Sequence, residues 1–289
     1  MTEAAPPVHE EGDIPFFSLY GIRVDNITAH RALLCISRLV AMRGGTGSRS
    51  VVFVNVHSFH LARRDQDFRR CLNAADLVLP DGSGLATAGR LLGSRVVENL
   101  NGTDFTPRVL AEGERQGWTV YLFGASAAAN ERCRLRLGEL FPRLKIAGSH
   151  HGHLDEGATL SLVEGINAVR PDILLVALGS PLQERWIIDN ADRLHVGCSF
   201  AVGGLFDFLS GTVTRAPKWM RTVGIEWAFR FFQDPKSKWD RVLVEIPVFL
   251  TRIASSRLRG ERVTTGSRPA PAPAREESGS TGNRRKSLT

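Results

Sequence analysis

Three apolar runs each break off into a turn of small or polar residues, and this repeated pattern constrains the fold more than any other feature of the chain. SVVFVN (50–55) ends at Asn55, TVYLFGAS (119–126) runs into Gly124 and Ala125, and PDILLVALGSP (171–181) runs into Gly179. Continuous aliphatic and aromatic runs of this kind are strands buried on both faces, the situation of parallel sheets. Stretches with helical spacing separate them. Ile27, Leu33, Leu34, Ile36, Leu39 and Val40 predict a helix capped by Asn26 and running to about Met42. A helical stretch follows Asn55 to about Ala74, and further helices are predicted over 85–92, 127–140, 158–169 and 183–190. DLVLP (76–80), LKIAGSHHG (144–152) and VGCSFAVGG (196–204) read as shorter strands, and Phe16 to Val24 as the edge of a strand pair. The predicted class is α/β: a Rossmann-like parallel sheet with helices on both faces, plus a helical C-terminal appendage. Such sheets bind ligands at the carboxyl ends of their strands, where these turns fall.

Charge divides the chain. Residues 214–289 carry 16 Lys/Arg against 7 Asp/Glu, while the preceding residues carry 21 against 23, so the formal net charge of +7 belongs to the C-terminal quarter. The expected division is a disordered leader (1–13), an α/β body (14–213), a helical basic appendage (214–259) and a disordered basic tail (260–289) rich in Arg, Ser, Gly and Pro. In the appendage, Pro217 opens a helix with the stripe Trp219, Val223, Trp227 and Phe231, Pro235 interrupts it, and Pro247 bends a second stripe from Trp239 to Ile253. Basic residues with aromatics suit nucleic acid, an anionic membrane surface, or simple packing on the body. The stripes are too wide and too rich in Trp and Phe for nucleic acid, which leaves the membrane surface and self-packing. No run of 18 apolar residues encodes an ordinary transmembrane helix. The acidic, polar first residues do not read as a signal peptide. Four dispersed cysteines without a CxxC pair argue against a disulfide scaffold and fit a reducing compartment.

Four constellations can carry chemistry. In PDGSG (80–84), Asp81 ends a strand and Gly82, Ser83 and Gly84 open a helix. Asp81 is either a general base for a sugar hydroxyl, beside a helix N-terminus that favours a diphosphate, or a helix cap. NGTDFTP (101–107) supplies Asn101, Gly102, Thr103 and Asp104, a turn with Thr103 or Asp104 as the cap, while Asn101 and Thr103 can also bond sugar hydroxyls. Gly124 and Ala125 form a short phosphate-loop-like turn without a GxGxxG or Walker pattern. GSPLQERW (179–186) groups Gln183, Glu184 and Arg185 after the most hydrophobic strand; the bland alternative is the start of an amphipathic helix. His57 and His60, and the cluster His150, His151 and His153, lack an HExxH frame, and no DxD or GxSxG is present. No metal and no cofactor is expected. A zinc hydrolase and a non-catalytic nucleotide- or nucleic-acid-binding module stand among the open readings.

Taken together, PDGSG, NGTDFTP, LFGAS with the downstream HHGH, PDILLVALGSPLQERWI and GGLFDFLSGTVTRAPKWMR resemble the bacterial WecG/TagA/CpsF glycosyltransferases, glycosyltransferase family 26, in order from about Tyr20 to Phe249. The resemblance implies an inverting, metal-independent transfer from a UDP-sugar, of N-acetylmannosamine or glucose type, to a polyprenyl-diphosphate-linked saccharide in cell-surface or exopolysaccharide biosynthesis. It implies a peripheral position on the inner face of the bacterial cytoplasmic membrane through 214–259, no nucleic acid partner, and a small homo-oligomer. Carried over residue by residue, Asp81 matches the catalytic base, Asn55 an active-site Asn on the preceding strand, Gln183 a pocket residue and Asp207 a position near the nucleotide. Arg215 opens the appendage, and Arg221 and Arg230 face a diphosphate. The chain departs from some members at Phe53, where they have Thr, and at Asn99, where they have Arg; both positions touch the donor-sugar pocket.

Overall fold

A computed structural model describes residues 12–43, 47–155, 157–217, 219–220, 226–233 and 235–271. Six strands form a wholly parallel sheet: β3 (Arg49–Val54), β4 (Leu77–Pro80), β5 (Thr119–Gly124), β6 (Lys145–His150), β7 (Ile173–Ala177) and β8 (Cys198–Ala201), in the order β4-β3-β8-β7-β5-β6. Their side chains alternate between two cores. Val51, Phe53, Val120 and Leu122 point to one, Val52, Val54, Tyr121 and Phe123 to the other. The first core is closed by α1 (Ala29–Ala41), α5 (Gly102–Gln116) and α6 (Ala127–Leu140) through Ile36, Leu39, Phe105, Val109 and Leu137. The second is closed by α2 (Val56–Arg64), α3 (Gln66–Ala74), α4 (Ser83–Leu91), α7 (Ala158–Val169) and α8 (Leu182–Asp189) through Phe59, Phe68, Leu85, Leu162 and Ile187.

The chain leaves β5 for the outer strand β6 through α6 on one face, and leaves β7 for β8 through α8 on the other. The carboxyl ends of the neighbours β5 and β7 therefore flank a point where the winding reverses, which opens a crevice there.

A second sheet is antiparallel, in the order β2-β1-β9, from β1 (Ile14–Leu19), β2 (Ile22–Asp25) and β9 (Thr264–Arg268). The last strand corrects the expectation that 260–289 is disordered throughout. Arg268 donates through Nε and Nη2 to the Asp25 carboxylate, at 3.0 and 2.8 Å. Asp25 is fully buried and also accepts from the Val78 amide at 2.8 Å. A buried carboxylate needs such partners, and composition says nothing about where they come from. Residues 1–11 of the expected leader and 272–289 of the expected tail lie outside the described residues.

Two boundaries also differ from expectation. Thr28, not Asn26, caps α1 and accepts from the Arg31 amide at 3.2 Å; Asn26 instead ties the 95–97 loop, donating to Arg95 O at 2.9 Å and accepting from Val97 N at 2.8 Å. The helical stretch after Asn55 breaks at Asp65, which ends α2 and caps α3 by accepting from Phe68 N at 2.9 Å.

After α9 (Leu205–Leu209) at the end of the body, the described appendage holds α10 (Glu226–Gln233), α11 (Pro235–Asp240), a π-helical turn (Arg241–Glu245) and α12 (Ile246–Leu258). Pro235 opens α11, and Pro247 sits in the first turn of α12 directly after the π-helical turn. Phe249 and Ile253 anchor α12 in the second core, whereas Trp219, Trp227, Phe232, Trp239, Leu243, Leu250 and Leu258 are exposed. Among the described residues, no helix is long and apolar enough to cross a membrane.

Candidate active site

Asn55 and Asp81 stand at the carboxyl ends of the adjacent strands β3 and β4. Asn55 is the N-cap of α2: its Oδ1 accepts from the amides of His57 and Ser58, at 3.0 and 3.3 Å, and Ser58 Oγ reciprocates to Asn55 N. With the oxygen committed to the cap, the NH2 group is the end left to face β4, and it donates to Asp81 Oδ2 at 3.0 Å. The two candidates named from sequence thus form one unit. The cap position of α4 falls on Gly82, which has no side chain to cap with, so Asp81 lies one residue outside it.

The backbone around Asp81 is tied on both sides. Asp81 N donates to Val54 O at 2.9 Å, Gly82 N to Asn99 Oδ1 at 2.7 Å, and Leu100 N to Pro80 O at 2.9 Å. Asn99 occupies the amide that would otherwise be the first donor of the α4 terminus. Gly84 is required for packing: a Cβ there would stand 2.6 Å from Val56 Cγ2 on α2.

Asn101, rather than Thr103 or Asp104, caps α5, accepting from Thr103 N at 3.0 Å. Gly102 lies against the Phe53 ring, which is almost buried and meets Phe105 edge-on at 6.5 Å between centroids. Phe53 is therefore a core residue beneath the start of α5. Asp104 forms an ion pair with Arg215 at 2.7 Å, joining α5 to the beginning of the appendage. Arg221 lies outside the described residues, and of Arg230 only the backbone, in α10, is described.

At the winding reversal, Gly124 has φ +127°, and a Cβ on it would meet Ala177 O at 2.3 Å, so only glycine fits. Ala125 follows at φ +57° and donates its amide to Ala177 O at 2.9 Å. Across the crevice, Gly179 and a cis Ser180–Pro181 bond lead into α8. Gln183 is 3% exposed; its Oε1 accepts from Gly203 N at 2.8 Å, linking the ends of β7 and β8. Its Nε2 donates to Glu184 Oε1 at 2.9 Å, and Ser180 Oγ donates to the same oxygen at 2.7 Å. Glu184 is 1% exposed, and burial raises its carboxyl above the usual range, against the lowering pull of Ser180, Gln183 and the nearby His57. Asp207 sits in the first turn of α9, its carboxylate near Gly204 and close enough to Cys133 to add to the burial that pushes that thiol up to about 12.

His57 and Glu245 make a connection that sequence reading missed. Both Glu245 carboxylate oxygens lie 2.9 Å from His57 Nδ1, so the π-helical turn of the appendage grips α2 two residues past Asn55. The HxxH spacing draws attention to His57 as a ligand, and nothing local to it points to a partner 188 residues away. His150, His151 and His153 stack on one another at the end of β6. Among the described residues, no three His, Cys, Asp or Glu side chains converge as a metal set.

Known proteins resemble this chain over most of its length. Residues 17–263 match the family model described as "Glycosyl transferase WecG/TagA/CpsF family". The chain is 30% identical over 190 residues, 66% of it and 73% of the relative, to the N-acetylglucosaminyldiphosphoundecaprenol N-acetyl-beta-D-mannosaminyltransferase of Bacillus subtilis (strain 168). It is 27% identical over 253 residues, 86% of it and 96% of the relative, to the protein of the same name from Staphylococcus aureus (strain MRSA252).

Proposed function

The chain belongs to the WecG/TagA/CpsF family of glycosyl transferases, and from that membership we propose that it transfers a sugar from a UDP-sugar to a polyprenyl-diphosphate-linked saccharide, with inversion and without a metal. The names of its relatives support the acceptor class and a mannosamine-type donor. The observation that carries the reading is the Asn55–Asp81 pair at the open carboxyl edge of a parallel sheet.

Asp81 is the general base. It takes the proton of the acceptor hydroxyl as that oxygen attacks the anomeric carbon and the nucleoside diphosphate leaves from the opposite face. Asn55 orients the carboxylate by donating to its Oδ2. Gly124, Ala125 and Gly179 let backbone approach the nucleotide at the winding reversal, with Gln183 and Asp207 at the neighbouring strand ends. The departing diphosphate needs positive charge, which amides of the Gly-rich turns and Arg215, Arg221 and Arg230 supply in this proposal. Gly82 N is already held by Asn99 and is not among those donors.

The basic appendage, with Trp219, Trp227, Trp239 and Phe232 outward, supports docking on the anionic inner face of the bacterial cytoplasmic membrane, where such an acceptor resides. A panel of UDP-sugars offered with a polyprenyl-diphosphate saccharide tests the reading. Transfer from one of them supports it; no transfer from any, with intact fold, overturns it.

A further inference from the structure

The ladder between β5 and its outer neighbour β6 ends at the Phe123–His150 pair. One side chain takes over where it stops. Asn130, in the first turn of α6, donates from Nδ2 to Gly124 O and to His150 O, at 3.0 Å each. A carboxamide carries two N–H donors on one atom, which is what two carbonyls converging from adjacent strand ends require. Asn130 is 3% exposed, so these bonds are made away from bulk water, where leaving a carbonyl unpaired is costly.

The residue after Gly124 is held as firmly. Ala125 stands at φ +57°, a left-handed conformation that a residue with a Cβ rarely adopts. Both of its backbone polar groups are engaged: its amide donates to Ala177 O at 2.9 Å, and its carbonyl accepts from Gly152 N at 2.8 Å. Gly152 fits closely against the same turn, because a Cβ there would stand 3.2 Å from both Ala125 N and Gly124 Cα. The turn at 124–125 is therefore gripped by β7 on one side and by Asn130 and the 150–152 loop on the other. A strained conformation persists only where its surroundings over-determine it, and such places cluster at binding sites. A turn fixed in advance also receives a ligand without an ordering cost.

We propose that Asn130 is a positioning residue for nucleotide binding: together with Gly152 it holds the Gly124–Ala125 turn in the conformation that receives the donor nucleotide. The proposal rests on the reading that places the nucleotide at the winding reversal, and it names what keeps that subsite in shape.

The test compares wild type, N130A, G152A and N190A for UDP binding by calorimetry, for KM and kcat with the UDP-sugar that wild type transfers, and for melting temperature. N130A removes both donors. G152A leaves Asn130 in place and presses on the turn from the neighbouring loop, so it decides the matter where N130A loses its fold. N190A is the matched control. Asn190 is also buried, and its Nδ2 donates to Trp186 O at 2.8 Å near the amino-terminal edge of the sheet, where Ala191 O accepts from Ser48 N. N130A and G152A should each weaken UDP binding and raise donor KM by about tenfold, with kcat within about twofold, the pattern of lost uniform binding. N190A should leave both Kd and KM at wild-type values. A purely structural Asn130 gives a different pattern, in which melting temperature and binding stoichiometry fall while Kd and KM do not move. That result overturns the proposal, as does UDP binding by G152A, or by folded N130A, that is no weaker than that of N190A. If wild type itself binds no UDP, the nucleotide reading fails and the role of Asn130 with it.

Discussion

Asn55 donates its side-chain amide to Asp81 Oδ2 across 3.0 Å while its carbonyl oxygen caps α2. One residue thereby fixes both the start of a helix and the carboxylate next to it. The cap determines which end of the amide faces Asp81, so the orientation of the base is built into the fold of β3 and α2. Several measurable consequences follow from this arrangement and from the contacts around it.

Replacing Asp81 by Asn removes the base and keeps the shape. Transfer should fall by about 10²–10⁴-fold, the usual contribution of a positioned general base, while UDP binding by calorimetry stays within twofold or so of wild type. Normal turnover in D81N would reduce Asp81 to a structural role.

In the proposed reaction Asn99 is a positioning residue for the Asp81 loop, because its Oδ1 holds the Gly82 amide at 2.7 Å. N99A should lower kcat by about tenfold with little change in donor KM, the cost of a loosened catalytic loop. A change confined to KM would instead make Asn99 a donor-contacting residue.

Glu184 links pH to stability. Burial raises its carboxyl in the folded protein above the ordinary value of 4.5, so the unfolded chain releases that proton first. The Glu184 contribution is fully present below pH 4.5 and is lost as pH rises through the raised folded value. Urea titrations across that range should show wild type losing stability relative to E184Q as pH increases. Parallel pH profiles for the two proteins would contradict the burial argument.

Arg268 closes β9 onto Asp25, which is fully buried. R268A should cost about 3 kcal/mol in urea unfolding, the low end of the range for breaking a buried pair, because Arg23 remains 3.4 Å from Asp25. A chain ending near Thr214 loses β9 as well as the appendage. It should stay folded but less stable, bind membranes no longer, and lack transfer.

Much of this was legible in the sequence, for identifiable reasons. The runs around Val52, Leu122 and Leu174 are apolar on both faces, which few structures other than a parallel sheet accommodate. The helices 127–140 and 158–169 coincide with prediction because their apolar periodicity and flanking breakers agree. At Asp81 the sequence left two readings, a base or a helix cap, and the Asn55 partner beside it emerges only from the fold. The failures share one cause. The Asp65 break, the choice of Thr28 over Asn26, the β9 pairing and the His57–Glu245 contact each depend on a partner far along the chain or on a tertiary competitor for the same side chain. Local composition around Thr264–Arg268 is polar and Gly-containing, and its pairing with β1 together with the Arg268–Asp25 contact makes a strand of it.

The most direct test of the account is transfer from a panel of UDP-sugars to a polyprenyl-diphosphate-linked saccharide, run with and without a chelator, for wild type and D81N side by side. The account predicts transfer from at least one donor by wild type, at the same rate in chelator, and almost none by D81N. Transfer that disappears in chelator, or that D81N performs as well as wild type, would contradict it.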